Sequence, residues 1–487
     1  MYRQLEGQLR AAILDGLLPP GTRLPSVREL AQQLGVARVT ITTAYDQLTA
    51  EGYLIGRTGA GTRIAAHLPE DALHLRASRR TQSAQRRPAR ANLPSTVLRD
   101  VTVPHPMPVS RIRYDMEAGG VGLDLIPHDV WAKLLAEAYR ELAANDRSLR
   151  LGYADPAGDP MLRDALVAYL AAARGVRCTA AQVVITRGAQ GAFGAVAAAW
   201  LDEQRSFVVE DPGYPNARMA LASTGARPVP VAVDDHGLRT DLLPDGPSIA
   251  MVTPSWQHPM GGTLPIARRL ELLTWAERQE ALVVEDDYDS ELRYVGHPIT
   301  SLQGLDEGGR VLYVGTFSKA MYPALRIGYM VAPEQALQPI LAAMSMAGRP
   351  PGAVEQRAMA HFITRGHFER HLRRLRVAYA ERQAVLLDSL RREFGDLVEV
   401  QPAAAGMHVV LKLDASLPRA STIARGAASA GLIVSPIEDH RVRPGPDDRL
   451  MLSYTSLRPL DMRVAVRLLG EVMRGAADRR SVGPRPR

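Results

Sequence analysis

Residues 311–330 read VLYVGTFSKAMYPALRIGYM, and this stretch joins an apolar run to a single lysine. The run at 311–314 is β-rich, which predicts a buried strand. Lys319 follows among the hydroxyls of Thr316 and Ser318, and Arg326 comes next. An amine placed there can condense with the aldehyde of pyridoxal phosphate, while hydroxyls and a guanidinium hold the phosphate. The stretch indicates a site for that cofactor; the alternative is an ordinary solvated lysine.

A second stretch, ALVVEDDYDSELRY at residues 281–294, supplies the anion that such a site needs. The pyridine nitrogen of the cofactor stays protonated only opposite a fixed negative charge. Asp286 lies one strand–crossover–strand step before Lys319, and Tyr288 can hydrogen-bond the 3′ oxygen of the ring. The alternative is a solvated acidic loop or a hard-cation site. Considered together with Lys319, the acidic run favours the cofactor, and we predict no metal.

Length and composition limit the class of protein. A chain of 487 residues exceeds one ordinary core, so two or more domains are expected, and 46% hydrophobic residues indicate globular domains. Cys178 is the single cysteine, which excludes an intramolecular disulfide and a cysteine-based zinc site. The first residues do not resemble a signal peptide, and no apolar run is long enough for a bilayer. We expect a cytoplasmic protein whose net charge of +7 permits an anionic partner.

Residues 1–66 have the pattern of a small DNA-binding module. An amphipathic first helix is followed by a break rich in proline and glycine. Ser26 can cap a second helix, which Gly35 ends, and a third helix is predicted at 37–48. Two short helices joined by a glycine turn predict a helix-turn-helix, and residues 57–64 predict a wing with an arginine on each arm. The alternative is a three-helix module that does not bind DNA.

The stretch LPSVRELAQQLGVARVTITTAYDQLTAEGYL, followed by GAGT, resembles the GntR-type winged helix. The third helix carries polar groups suited to phosphate and groove contacts. The resemblance implies that Arg28, Arg38 and Thr40 contact DNA, and Thr43, also on the third helix, is a further candidate contact. It also implies that Arg57 and Gly61 shape the wing. Ala37 stands where the family usually has serine.

Residues 67–113 are basic, contain prolines and lack a sustained period, which predicts a flexible linker. The alternative is accessory contact with DNA phosphates. The predicted domains are therefore a winged helix at 1–66, the linker, and a large domain at 114–480. Its C-terminal subdomain is expected at roughly 365–480.

The large domain alternates helices with apolar strands, which predicts an α/β fold with a mostly parallel sheet. Ligands bind such sheets at the carboxyl ends of the strands. The turn TRGAQG at 186–191 opens a helix, so the backbone N–H groups of Ala189 and Gln190 can hold a phosphate. Tyr214, in EDPGYP, can stack on a pyridine ring. The alternatives are a turn required only for packing and an aromatic residue of the core.

Six motifs follow one another in the order known from one family. They read LGYADPAGDPMLR, ITRGAQGA, EDPGYPNAR, TPSWQHPMGGTLPIARRLELL, EDDYDSELRY and GTFSKAMYPALRIGY. They resemble the fold-type I aminotransferase domain of MocR/GabR-type regulators, in which a GntR winged helix precedes that domain. The resemblance implies a large domain with helices on both faces of the sheet and a small C-terminal α+β subdomain.

The resemblance also assigns roles to single residues. Lys319 would form the Schiff base, with Asp286 facing the pyridinium nitrogen, Tyr288 the 3′ oxygen and Tyr214 the ring face. The phosphate would be held by Arg326, Ser318, Thr316 and the backbone of Ala189 and Gln190. Tyr153 would reach the phosphate of a neighbouring subunit, which implies a homodimer.

Two arginines match positions that bind an effector in this family. Arg449, in DDRLMLSY, matches an arginine that binds a carboxylate, and Arg218 matches one that helps to hold an amino acid. The alternative for both is an ordinary surface ion pair. His258 stands beside the cofactor where the family has phenylalanine or tyrosine. It could titrate near neutrality or bond the cofactor; the alternative, which we favour, is a tolerated aromatic substitute.

Two functions remain open from the sequence. The favoured one is a transcriptional regulator that binds DNA and senses pyridoxal phosphate or an amino compound. The other is a working aminotransferase whose head only localises it, although the winged helix adds nothing to transamination. In the family the dimer is swapped and favours direct repeats, and it would associate with the nucleoid when bound to DNA. The sequence selects no effector, promoter or sign of regulation.

Overall fold

The computed structural model divides the chain into two compact units, Met1–Pro94 and Ser95–Arg487. It describes residues 2–57, 61–66, 68, 111–117, 119–144, 155–294, 299–347, 350–401, 406–445 and 447–481. The predicted linker therefore lies almost wholly outside the described residues. No helix in the described ranges is both long and apolar enough to cross a membrane.

The first unit has three helices and a hairpin. They are α1 (Tyr2–Leu14), α2 (Val27–Leu34), α3 (Arg38–Ala50), β1 (Leu54–Arg57) and β2 (Gly61–Ile64). Ser26 caps α2 by accepting from the Glu29 N–H at 3.2 Å, and the Glu29 carboxylate accepts from the Ser26 N–H at 2.8 Å. Gly35 ends α2 in the left-handed region, at φ +63°. The predicted cap and stop are both confirmed.

The hairpin of this unit packs against α3. Strands β1 and β2 pair antiparallel, from Leu54 opposite Ile64 to Arg57 opposite Gly61. Leu54 and Ile64 join Ile41 and Leu48 in one buried cluster. A three-helix core with a two-stranded extension is the predicted winged helix-turn-helix, and it has an apolar core of its own.

The second unit is built on a sheet and layers of helices. Its strands are β3 (Tyr114–Asp115), β4 (Val183–Thr186), β5 (Ser206–Asp211), β6 (Arg227–Asp234), β7 (Gly237–Leu238), β8 (Ile249–Val252), β9 (Leu282–Asp287), β10 (Val311–Thr316), β11 (Gly328–Val331), β12 (Val398–Val400), β13 (His408–Leu413), β14 (Leu432–Ile433), β15 (Ser435–Pro436) and β16 (Arg449–Ser453). Its helices are α4 (His128–Ala144), α5 (Pro160–Arg174), α6 (Gly188–Trp200), α7 (Pro215–Ala222), α8 (Ile266–Arg278), α9 (Leu302–Leu305), α10 (Glu334–Ala347), α11 (Ala353–Thr364), α12 (His367–Phe394), α13 (Ala420–Ser429) and α14 (Pro459–Ser481).

Eight strands form the main sheet in the order β4-β11-β10-β9-β8-β5-β6-β7. Neighbours from β10 through β6 pair in parallel, whereas β11 runs antiparallel to both β10 and β4. Strands β4, β8, β9 and β10 are buried along their whole length, which is expected for a sheet covered on both faces. The predicted α/β fold with a mostly parallel sheet is confirmed.

A smaller sheet lies in the C-terminal part of this unit. It has the order β12-β13-β16-β15, with antiparallel pairing throughout. Strand β3, from the start of the unit, pairs with β14 in a separate two-stranded sheet, so the start of the unit lies against its C-terminal part. The predicted small α+β subdomain is present.

Candidate functional site

The predicted cofactor residues gather at one edge of the main sheet. Strands β4, β5, β8, β9 and β10 run in the same direction, so their carboxyl ends meet at that edge. Strand ends or the loops that follow them carry Tyr214, His258, Asp286 and Lys319, and Gln190 lies in the first turn of α6, just after β4. The edge is the position at which open α/β sheets bind ligands.

Lys319 is largely buried just beyond β10. Its Nζ donates to the Gly119 carbonyl at 3.1 Å. Burial lowers the pKa of Lys319, and the carboxylates of Asp289 and Asp286 partly oppose that shift. A lower pKa leaves more of the amine neutral and therefore nucleophilic.

Gly119 is a position next to Lys319 that sequence reasoning missed. It has φ +89°, and a Cβ added there would lie 2.2 Å from the Lys319 Nζ. Other residues are strained at this φ, and their Cβ would displace the Lys319 amine. The signal that could have found it is the Gly119–Gly120 pair near the start of the large unit.

The acidic run of β9 separates into carboxylates with different partners. Glu285 accepts from the Leu302 and Gln303 N–H groups at 2.8 and 2.9 Å. Asp287 accepts from Arg174 at 2.7 Å, from the Ser290 hydroxyl at 2.9 Å and from the Tyr313 hydroxyl on the neighbouring strand β10. Both carboxylates are buried, so the solvated-loop interpretation is wrong. Among the described residues no acidic or histidine cluster has metal-binding geometry.

Asp286 has no such partner among the described residues, and two further oxygens of the run, Asp287 Oδ1 and Asp289 Oδ2, are also buried without one. The Asp286 side chain is buried, and its Oδ1 has no hydrogen-bond partner among the described residues. Burial, and then the neighbouring Asp287, raise the pKa of Asp286 to about 8. A buried acceptor without a donor is costly, and a protonated ring nitrogen would supply both a donor and a positive charge.

The hydroxyl of Tyr288 is also buried without a hydrogen bond of normal geometry among the described residues. Burial raises the pKa of Tyr288, and the nearby carboxylates of Asp289 and Asp286 add to the shift. It therefore remains a protonated donor. An acceptor at Asp286 and a donor at Tyr288 fit the nitrogen and the 3′ oxygen of pyridoxal phosphate.

Arg326 lies where strands β4 and β11 meet the start of α6. It is one of two non-glycine residues with positive φ in the described ranges, at +54°. Such a conformation costs on the order of 1 kcal/mol and is typical of functional positions. Its guanidinium donates to the Arg187 carbonyl at 3.2 Å and packs against Gly188. This conformation brings the charge to the helix N-terminus that contains Ala189 and Gln190.

The other residues predicted to bind the phosphate lie at the end of β10 and just after it. The Thr316 hydroxyl donates to the Ser318 hydroxyl at 3.1 Å and accepts from the Ser318 N–H at 3.2 Å. These polar groups and the exposed Arg326 guanidinium form an anion-binding arrangement. Tyr153, predicted to act from a neighbouring subunit, lies outside the described residues.

His258 lies among other aromatic rings. Its ring centroid is 5.3 Å from that of Tyr214 and 5.6 Å from that of Tyr288, both edge to face. Burial lowers its pKa well below the ordinary value, and His440 and His408 add to this. The interpretation that His258 titrates near neutrality is therefore wrong. Its Nε2 has no hydrogen-bond partner in the described part of the chain. His408 and His440 were missed because no motif marked them.

The two predicted effector arginines contact protein groups. Arg449 donates to the Asp447 carboxylate through Nε and Nη2, at 2.8 and 2.7 Å. Arg218 donates to the Arg441 carbonyl at 3.0 Å, and burial lowers its pKa. The Arg449 side chain is 20% exposed, so its ion pair is not an ordinary surface one. Asp447 was missed, although it stands in the quoted motif.

The predicted DNA contacts lie on α2, on α3 and on the hairpin of the first unit. Arg28, Arg38 and Thr43 are exposed, and Thr40 is half-buried. The Thr43 hydroxyl donates to the Val39 carbonyl at 2.9 Å, which leaves its lone pairs available. Gly61 has φ +80° in the wing, and the side chain of Arg57 lies outside the described residues.

Comparisons with known proteins agree with both units. Residues 1–64 match the family of bacterial regulatory proteins called gntR, and residues 122–468 match aminotransferase class I and II. The probable rhizopine catabolism regulatory protein MocR of Rhizobium meliloti is 38% identical over 96% of this chain and 93% of its own. The pyridoxine biosynthesis transcriptional regulator PdxR of Corynebacterium glutamicum is 32% identical over 93% of this chain and 91% of its own.

A solved structure shows the same fold for the second unit. The α-aminoadipate aminotransferase LysN of Thermus thermophilus superposes with a TM-score of 0.68 and 28% identity, over 76% of this chain and 94% of that chain. That enzyme was solved in complex with N-(5′-phosphopyridoxyl)-L-leucine. Family matches in both units and full-length similarity to regulators lead to one assignment. The chain belongs to the MocR/GabR-type DNA-binding transcriptional regulators, in which a GntR-family winged helix is fused to an aminotransferase-like domain.

Proposed function

We propose that this regulator binds pyridoxal phosphate through Lys319 and senses the cofactor, or the cofactor with an amino compound. The observation that carries the proposal is the buried, unpartnered Oδ1 of Asp286 at the sheet edge that also carries Lys319. When bound, the cofactor supplies an aldehyde that reacts reversibly with amines and a ring that withdraws electrons.

Each residue of the site then has a physical task. Asp286 would hold a proton on the ring nitrogen, and Tyr288 would donate to the 3′ oxygen. Tyr214 would cover the ring, and His258 packs edge-on against Tyr214. The neutral fraction of Lys319 is increased by burial, which favours attack by its amine. The phosphate would be held by Thr316, Ser318, Arg326 and the N–H groups of Ala189 and Gln190.

DNA binding is assigned to the first unit, with Arg28, Arg38, Thr40 and Thr43 facing the duplex and the wing beside it. A swapped homodimer, with Tyr153 reaching the phosphate of the other subunit, would carry two winged helices and read two direct repeats. An effector shifts DNA affinity only if it binds two domain arrangements unequally, and about 1–3 kcal/mol is the usual scale. A transcriptional regulator that binds DNA would act in the cytoplasm, at the nucleoid.

PdxR is described as a regulator of pyridoxine biosynthesis, which supports pyridoxal phosphate as a signal. A second candidate is slow transamination. The similarity of the second unit to LysN favours it, together with the presence of Lys319, Asp286 and Arg449. The winged helix disfavours it as the main function, because transamination does not need a DNA-binding unit.

Titration of the purified protein with pyridoxal phosphate tests the proposal. We expect a visible absorption band that Lys319→Ala removes, and a change in operator binding when the cofactor or an amine is added. A band that survives in Lys319→Ala would place the covalent link elsewhere. DNA affinity that is independent of every ligand, combined with steady production of a keto acid, would favour the enzyme.

A further inference from the structure

Asp447 forms an ion-pair cluster with two arginines at the start of β16. Its carboxylate accepts from Arg449 at 2.7 and 2.8 Å and from Arg441 at 2.6 and 2.9 Å. The Asp447 side chain is 1% exposed. Burial raises its pKa, but the hydrogen bonds from Arg449 and Arg441 outweigh this and leave the pKa lowered. Asp447 is therefore a permanent anion at neutral pH.

The contacts of Arg449 use the Nε–Nη2 edge of its guanidinium, which is an edge that can bind a carboxylate through two parallel hydrogen bonds. Nε and Nη2 make the paired bonds to Asp447, and Nη1 lies 3.5 Å from the Met260 sulfur. The carboxylates of Asp448 and Asp235 also act on Arg449, since both raise its pKa. The surroundings of this arginine therefore already contain more than one negative charge.

The same cluster touches the loop that carries His258. Met260, which touches Arg449, follows His258 in the loop after β8. The ring of His258 packs against Tyr214 and Tyr288. Its buried Nε2 has no partner among the described residues, and a neutral histidine nitrogen can bond a neutral polar group.

We infer that Asp447 makes this site select amines that lack a carboxylate, because it holds the arginine that would otherwise bind one. The inference rests on the proposal that an amino compound is sensed beside Lys319. A carboxylate entering the site must either take Arg449 from a buried ion pair or lie next to Asp447, and both are costly. A hydroxyl in the same position meets neither cost. The cost to the wrong ligand sets the specificity.

The test compares each amino acid with the alcohol in which CH₂OH replaces the carboxylate. Full-length protein loaded with pyridoxal phosphate is titrated with leucine and leucinol, and with γ-aminobutyrate and aminobutanol, following the visible band. We expect the amino alcohol of each pair to bind at least about tenfold more tightly. An amino acid that binds as tightly as its alcohol would overturn the inference, as would a band that no amine changes. In either case retained cofactor binding would leave the proposed cofactor site intact.

Asp447→Asn removes the charge while keeping the shape. It should reverse the preference, raising carboxylate affinity about tenfold or more, with the cofactor band unchanged. The control is Asp202→Asn, which removes the same charge from an exposed side chain that pairs with Arg205 and should keep the wild-type preference. An Asp447→Asn protein that binds the cofactor but keeps the wild-type preference would refute the role of Asp447. If that variant does not fold, the comparison in the wild-type protein still decides.

Discussion

The buried carboxyl of Asp286 provides a quantitative test of the cofactor site. Its pKa in the folded protein is about 8, and in an unfolded chain it is about 3.9. Between these values the folded state holds a proton that the unfolded state has lost, so stability falls as the pH rises. A difference of about four pKa units amounts to about 5 kcal/mol at full ionisation. This is an upper limit, because water that enters on ionisation reduces the cost.

Asp286→Asn removes this cost and keeps the shape of the side chain. Cofactor-free wild-type protein should lose stability faster than the variant between about pH 4 and about pH 8, and thermal unfolding measures both curves. Asp202→Asn is the control, because Asp202 is exposed and pairs with Arg205. The pH dependence of its stability should match that of the wild type. Affinity for pyridoxal phosphate should fall in Asp286→Asn, because the ring nitrogen loses its anion. Parallel unfolding curves would show that Asp286 is ionised and paired, and unchanged affinity would assign the ring nitrogen to another group.

Three further changes test other parts of the molecule. Gly119→Ala places a Cβ 2.2 Å from the Lys319 amine, so it should weaken cofactor binding by about tenfold or more, which the band reports. The control Gly194→Ala should leave cofactor binding unchanged, because a Cβ at that position meets no atom within 4 Å. Arg38→Ala should weaken operator binding by about 1–3 kcal/mol with the band unchanged, and equal DNA affinity would contradict its assigned role. Ser26→Ala should cost about 1 kcal/mol of stability in thermal unfolding of the winged helix, and no loss would mean that the cap is unimportant.

Local sequence patterns were sufficient for much of the framework. Short apolar runs predicted β4, β5, β8, β9 and β10, because strands covered on both faces need apolar residues throughout. The cap at Ser26 and the stop at Gly35 follow from backbone groups within a few residues, so they too were predictable. The strand-end rule then placed Lys319 and Asp286 at one edge of the sheet.

Other features depend on contacts between distant residues. Gly119 meets Lys319 across 200 residues of sequence, and no local pattern encodes such a contact. The three carboxylates at 285–287 look alike in the sequence. Only the packed sheet shows that Glu285 binds N–H groups, that Asp287 binds Arg174, and that Asp286 retains an unpartnered acceptor.

The sequence by itself determined the two-part organisation, the α/β class, the lysine and the family, because periodicity and motif order are local properties of the chain. The tertiary structure decided which side chains are charged and which already have an ion-pair partner within the protein. Burial keeps His258 neutral, and Asp447 engages Arg449. Both depend on desolvation and on neighbours that are brought together only by folding, and the electrostatic energy of a group is set by those surroundings.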